Sequence, residues 1–495
     1  MTAPVVSRRR RRARPAARRL AQSRAHRRGV ALVMVLGALS ILTVILAEFQ
    51  DEASAEASAA IADRDALKAE YVARSAVNLS RLLIAAEPTI RAPVAPMLAI
   101  AFGGQSPQLP VWEFADQILG AFNDEKATQG FAAMAGLDLS KGRNMGMKGA
   151  RFDLSIVDED SKINVNLASR DSFSQIRLAS ELIGLMRGEQ YNPLFEARDA
   201  EGTFHDRATI CGALVDWADN DEQLFTCDLS NTQNTASGAE DGYYQILKTP
   251  YRRKNAPYDS IEELHLVRGM SEDFWSTFVD PEPSNPKKRT LTVWGQGAIN
   301  VNTANAFTIW SFLCGETVAV QNPPQPVCVD PLVTAKFMTA MNLVRSMLAG
   351  FPVFGSPGAF IKMAKGEGPF GALLKDALGI DPMKFKSESE ARKALTTESK
   401  VFSIYADGVV PGYRRTTKVR IHAVVDFRDA PPPGTGFAGI AMASPSGSGA
   451  TPTAAPVSSG VRSVPANAGS TSAADALTGA LVKNPGGSIV YYRIE

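Results

Sequence analysis

Acidic residues are absent from the first 29 positions, where 11 arginines stand, and that imbalance hides the character of the rest of the chain. The formal net charge of the chain is +2, yet after Gly29 there are 42 basic against 51 acidic residues. Such a body repels phosphate, so no nucleic acid is expected among its partners. Cysteine is scarce, at 4 in 495 residues with no C-x-x-C, and His205, His265 and His422 are scattered, which makes zinc a poor fit. No G-x-S-x-G, H-E-x-x-H or Walker phrase occurs. Gly366-Glu367-Gly368-Pro369-Phe370-Gly371 matches G-x-G-x-x-G but comes after the helix-like AFIKMAK rather than a strand, so it reads as a loop and helix start. No enzymatic activity is expected. The remaining composition, 45% hydrophobic and 21% charged, suffices for a large globular core that does not depend on disulfides.

Charge is also missing from the 18 residues Val30 to Ala47, VALVMVLGALSILTVILA, bracketed by Arg27 and Arg28 on one side and Glu48 on the other. This run is long enough to cross a membrane. The arginine cluster should stay cytoplasmic, sending everything after Glu48 across a bacterial inner membrane as a single-pass protein with a periplasmic body. Three leader types share these features. A secretory signal would be cut near Ala53-Ser54-Ala55, although Glu48, Asp51 and Glu52 intervene. A twin-arginine signal would use Arg27-Arg28 but with a weaker apolar core. A prepilin leader, residues 1–29, would be cut between Gly29 and Val30 and leave the apolar helix in place. The continuation favours the last. Asp51 to Glu87 contains no Gly or Pro and sets Val72, Ala76, Leu79 and Leu83 at helical spacing. One helix is predicted from Val30 until Pro88, with a transmembrane part over 30–50 and a periplasmic part over 51–92.

Segment 93–160 should begin a sheet domain. WEFADQILGAF and ATQGFAAMAGL are short helical pieces, and Phe152 to Val157 alternates as a strand that Asp158-Glu159-Asp160 ends. Residues 161–395 read as helix and loop, with helical patterns in RDSFSQIRLASELIGLM, RATICGALVDWA, SIEELHLV, PLVTAKFMTAMNLVRSMLA and GALLKDAL. Strands return over 396–430 as a hairpin around Val410-Pro411-Gly412, placing Val419, Ile421, Ala423 and Val425 on one face. Residues 431–487, rich in Pro, Gly, Ser, Ala and Thr, are expected to be a mobile loop, and 488–495 a last strand. The fold class is therefore α+β: a long N-terminal helix packed on an antiparallel sheet, with a large α-helical domain inserted in the sheet. Ile-Asn-Val-Asn occurs twice, at 163–166 and 299–302, predicting two related helical subdomains of SAM-like or helix-hairpin-like kind, with Asn166 or Thr303 capping the next helix in each. Helix-hairpin-helix DNA binders use a similar phrase, but the acidic body favours the capping role.

RRGVALVMVLGALSILT, IVDEDSKINVN, LVDWADND, GAEDGYYQ, PYRRKNAPYDSIEELHLVRG and INVNTANAF, in this order over residues 27 to 310, resemble the K-type minor pseudopilins of type II secretion, general secretion pathway protein K. The resemblance implies a pseudopilin fold with an inserted α-helical domain, seated at the tip of a periplasmic pseudopilus. There it would assist pseudopilus assembly and protein export. It also implies I-type and J-type minor pseudopilins as partners, a major pseudopilin below the tip and processing by the prepilin peptidase. Exported proteins and the outer-membrane secretin are further partners such a position would meet. Most pilins and pseudopilins carry Glu as the fifth mature residue, where it neutralises a neighbour's terminal ammonium. Here that residue is Met34, and an unpartnered carboxylate inside an apolar bundle would cost several kcal/mol, so a subunit with no neighbour above it does better with an apolar side chain. The alternative class is an independent membrane-anchored periplasmic binding protein or hydrolase. Release of the leader after Gly29 separates the two.

Asp216, Asp219 and Asp221 lie within six residues, with Glu240 and Asp241 across a loop. Calcium takes six to eight oxygen ligands, and the family's inserted domain binds it through acidic loops in this region, so a structural calcium is expected here. A solvated acidic loop is the competing reading. Cys211 with Cys227 and Cys314 with Cys328 form close-spaced pairs that an oxidising compartment would join as disulfides, with buried free thiols as the alternative.

Overall fold

The computed structural model describes residues 16–120, 122–123, 149–196, 198, 202, 204–229, 235–236, 238, 240–317, 325–348, 350–412, 415–430 and 486–495. ATQGFAAMAGL, nearly all of the 431–487 stretch and the start of the leader lie outside the described residues. The chain divides into two compact units, Met1–Leu67 and Lys68–Glu495. In chain order the principal helices are α1 (Ala16–Ala85), α2 (Ser172–Leu185), α3 (Arg207–Asp216), α4 (Ala306–Thr317) and α5 (Pro331–Met347). The strands used below are β1 (Arg151–Asp158), β2 (Ile163–Asn164), β3 (Leu291–Thr292), β4 (Ile299–Asn300), β5 (Leu395–Thr396), β6 (Val401–Pro411), β7 (Thr416–Asp426) and β8 (Ser488–Ile494); a further short antiparallel pair joins Leu224–Phe225 to Thr235–Ala236.

The first unit is carried by α1. This helix begins upstream of the expected start at Val30, because the arginine- and alanine-rich head is as good a helix former as the apolar run after it. The stretch from Val30 is the one described helix long and apolar enough to cross a membrane, and its side chains are exposed, Met34 at 70%. The helix also ends earlier than Pro88 would dictate. It stops at Ala85, and Pro88 sits in the first turn of a separate short helix, Glu87–Arg91, where a missing N–H leaves no bond unmade.

In the second unit the end of α1 packs on one face of a four-stranded antiparallel sheet of order β1-β6-β7-β8. Ala69, Val72, Ala73, Ala76, Val77, Leu83 and Ile84 are buried with Phe152, Leu154, Ile156, Phe402, Ile404, Ala406, Ile421, Ala423 and Val425. Each large apolar side chain removed from water here contributes about 1.5–3 kcal/mol. Small residues let the layers approach closely. A Cβ on Gly408 would lie 1.8 Å from the Ala69 carbonyl oxygen, so β6 can cross the helix at that point only as glycine. The register pairs Asp158 with Phe402, which makes everything between β1 and β6 an insertion. The returning strand starts at Val401, and residues 396–400 belong to the connection.

The insertion has its own core, and it is not purely helix and loop. β2 pairs in parallel with β3 (Ile163 with Leu291), and β4 pairs in parallel with β5 (Ile299 with Leu395). Each Ile-Asn-Val-Asn thus opens a subdomain that a later Leu-Thr closes. SIEELHLV forms a 3-10 helix rather than an α-helix. Gly368 opens a short helix that Glu367 precedes, as a loop and helix start.

The capping expectation is corrected. α2 is capped by Asp171, whose carboxylate accepts from Phe173 and Ser174 N–H, and Asn305 Oδ1 accepts from Thr308 N–H at the start of α4. In each phrase the first asparagine closes the turn after it, Asn164 thereby capping the short 3-10 helix Val165–Ser169, and the second bridges distant backbone. Asn164 Oδ1 accepts from Asn166 N–H and Asn300 Oδ1 from Asn302 N–H, both at 2.9 Å. Asn166 Nδ2 then donates to the Tyr258 and Val293 carbonyls while its Oδ1 accepts from Tyr258 N–H. Asn302 likewise donates to the Phe354 carbonyl and accepts from Val353 and Phe354 N–H. A half-buried amide satisfies distant backbone in each subdomain, where no regular partner reaches it.

Candidate cation site in the inserted domain

α3 ends at Asp216, and the turn after it carries Asp219 and Asp221. A disulfide between Cys211 and Cys227 closes this segment into a loop; a second joins Cys314 to Cys328 between α4 and the start of α5. The structure brings Asp219, Asp221 and Glu240 together, with one carboxylate oxygen of each within 4.8 Å of the others. Asp216 and Asp241 stand beside this trio rather than in it. Asp216 Oδ1 accepts from Phe225 N–H at 2.8 Å, and Asp241 Oδ1 accepts from Arg253 N–H at 3.3 Å. Asp216, Asp219 and Glu240 are buried, whereas Asp221 is exposed.

Burial of so many carboxylates disfavours their charged forms. Desolvation pushes Asp216 up to about 8, with Asp219 and Asp221 adding to the rise. Asp219 is pushed up to about 7 by desolvation and by Asp221, and Arg253 opposes both shifts. That arginine is a site residue which the sequence pattern does not single out. Arg253 Nη1 donates to the Asp216 carbonyl (2.7 Å), lies 3.5 Å from Asp219 Oδ1 and is ion-paired with Glu240, while Nη2 donates to the Asp221 carbonyl (2.9 Å). The signal available was only its place in PYRRKNAPYDSIEELHLVRG. Nothing in RRK says which arginine turns inward.

The donor set fits calcium. Three carboxylates, all hard oxygen donors, converge, and neither oxygen of the buried Glu240 accepts a well-aligned hydrogen bond. Asp219, Asp221 and Glu240 would hold the ion, adding fixed positive charge where like charges now crowd. Of the processing residues, Gly29 and Val30 lie inside α1 and Met34 one turn further on.

The family model described as type II secretion system (T2SS), protein K matches residues 161–278, a span that includes the acidic trio and the first disulfide. Among solved structures the chain is similar to the GspK–GspI–GspJ complex from the type 2 secretion system of enterotoxigenic Escherichia coli. The identity is 15% and the TM-score 0.34, covering 64% of this chain and 90% of that chain. No curated protein matches the sequence.

Proposed function

We infer from its membership of the type II secretion system protein K family, a family of minor pseudopilins, that this chain caps the tip of a periplasmic pseudopilus and takes part in starting its assembly. The observation that carries this reading is the insertion between β1 and β6. A helical domain of that bulk is too wide to repeat along a filament whose stalks pack at a small rise, so it can be placed once, at an end. Met34 supports the upper end: lacking a carboxylate at the fifth mature position, the subunit has no group to accept an ammonium from above. Its own terminus at Val30 can still be met by a Glu from a neighbour below. The arginine-rich head and the apolar run of α1 orient the chain with its body in the periplasm, where the two disulfides persist. I-type and J-type minor pseudopilins are the expected neighbours along α1, and calcium the expected occupant of the acidic trio.

The test is co-expression with the prepilin peptidase and I- and J-type partners, and then native mass spectrometry of the detergent-extracted complex. One copy of each subunit is expected, with this chain beginning at Val30. Self-assembly into filaments, failure to join either partner, or a mature terminus after Ala47 would favour an independent membrane-anchored protein.

A further inference from the structure

We propose that Arg253 competes with calcium for the Asp219 and Glu240 carboxylates of the acidic cluster and so sets its calcium affinity, calcium entering as the guanidinium is displaced from these two groups. The proposal rests on the reading of the cluster as a calcium site. Five residues hold the guanidinium: the carbonyls of Asp216 and Asp221, and the carboxylates of Asp219, Glu240 and Asp241, the last 3.5 Å from Nε; of these the Asp219 and Glu240 carboxylates belong to the trio. These two carboxylates are donors a hard divalent cation would use, and the Arg253 side chain against them is only 4% exposed. A guanidinium and a calcium ion compete for these two carboxylates. Their charges repel at contact, so each weakens the hold of the pair on the other.

The surrounding backbone allows the exchange. Asp241 Oδ1 accepts from Arg253 N–H, and Asn255 N–H donates to the Trp217 carbonyl at 3.0 Å, so the main chain on both sides stays tied while the side chain leaves. The adjacent Lys254 offers no substitute, since its ammonium is held by Asp259 and Glu263. Arg253 thus keeps the loops together without calcium and lowers the affinity with which calcium is taken up.

The full chain in detergent, stripped with chelator, is titrated with calcium by calorimetry, and melting is recorded with and without the ion. Arg253→Met is expected to bind calcium roughly tenfold or more tightly than the native chain, and to gain more in melting temperature on adding it, because a competing charge has left the site. Arg253→Lys, which cannot span both carbonyls, should fall between. Equal or weaker binding by Arg253→Met overturns the proposal while leaving the calcium site standing. Absence of calcium binding in every chain, native included, overturns the calcium reading and this proposal with it. If Arg253→Met folds only with calcium present, the proposal is supported. If it never folds and Arg253→Lys binds calcium with native affinity, the proposal fails.

Discussion

The tightest point of the inserted domain is the crossing of α2 and α4, the first long helices of the two subdomains, and it can be tested with single methyl groups. A Cβ on Gly184 would lie 2.1 Å from the Ser311 carbonyl oxygen and 2.5 Å from Gly315 N; one on Gly315 would lie 2.3 Å from the Ser180 carbonyl oxygen. An optimal contact needs about 3.5 Å, and the opposing atoms are helix backbone that cannot rotate away. Gly184→Ala or Gly315→Ala gains about 1 kcal/mol of helix propensity. Against this, overpacking costs about 1–3 kcal/mol, and parting the helices uncovers Leu178, Leu182, Ile309 and Leu313, which are fully buried. The expected net loss is about 2–3 kcal/mol for either variant, read from urea unfolding of the full chain through the fluorescence of Trp310, which α4 carries in the core. The two substitutions relieve one another. Once the first has parted the helices, the second should add less than about 1 kcal/mol. Gly120→Ala, with no described atom within 4 Å of its Cβ, serves as the neutral control. Native stability in Gly184→Ala, or a double variant as unstable as the sum of the singles, would refute the close-packed crossing.

Two further outcomes are expected. Glu181 is buried on α2, with both carboxylate oxygens lacking a hydrogen bond and Arg177 Nε at 3.6 Å, and desolvation pushes it up to about 8. Between an unfolded value of about 4.3 and that folded value the native chain binds the extra proton, so stability falls as pH rises across this window. Glu181→Gln should flatten the slope measured by urea midpoints at pH 5 and pH 8; parallel slopes in both chains would sink the assignment. Opening the Cys211–Cys227 disulfide, which closes a separation of 16 residues, should cost about 3 kcal/mol and lower the melting temperature under reductant. An unchanged melting temperature in Cys211→Ala/Cys227→Ala would contradict it.

The elements that show in the sequence are those whose cause is local. The apolar run from Val30 shows through its unbroken hydropathy, the alternation of Phe152 to Val157 through the buried face it creates, and the strand Ser488 to Ile494 through its β-branched and aromatic residues, although that strand is largely exposed. The doubled Ile-Asn-Val-Asn announced a local structure made twice, but not its purpose. A capping asparagine and a bridging one look alike until the distant backbone at Tyr258 or Phe354 is in place. The parallel pairs β2–β3 and β4–β5 are too short for any alternation to register. Gly184 and Gly315 give no sign either, since an isolated glycine in a helical pattern is explained only by what crosses it. Within the acidic cluster the five acids stood out as charge density without showing which three converge, and Arg253 did not stand out, because two of its partners are carbonyls fixed by the turn after α3.

A domain can sit inside a sheet without breaking it when the chain leaves and returns at one place, and here that place is built from acids. β1 ends at Asp158 and the chain resumes at Val401, one step from the Asp158–Phe402 pair. Asp160 reaches both sides: one oxygen accepts from Gln296 N–H in the link between the subdomains, the other from Lys400 and Val401 N–H at the return. Asp158 accepts from the hydroxyls of Thr303, at the start of the second subdomain, and Ser399. Glu159 is paired with Lys162 and accepts from Thr292, which belongs to β3 of the first subdomain. Burial pushes Asp158 and Asp160 upward, and the negative charge next to each adds to it, which is the cost of concentrating carboxylates where water is excluded. What the arrangement secures is that both subdomains, the departing strand and the returning strand share one set of hydrogen bonds. The insertion is therefore not a bead on a linker. A force applied to either subdomain passes through Asp158, Glu159 and Asp160 into β1 and β6, and from Gly408 of β6 directly onto the backbone of α1 at Ala69.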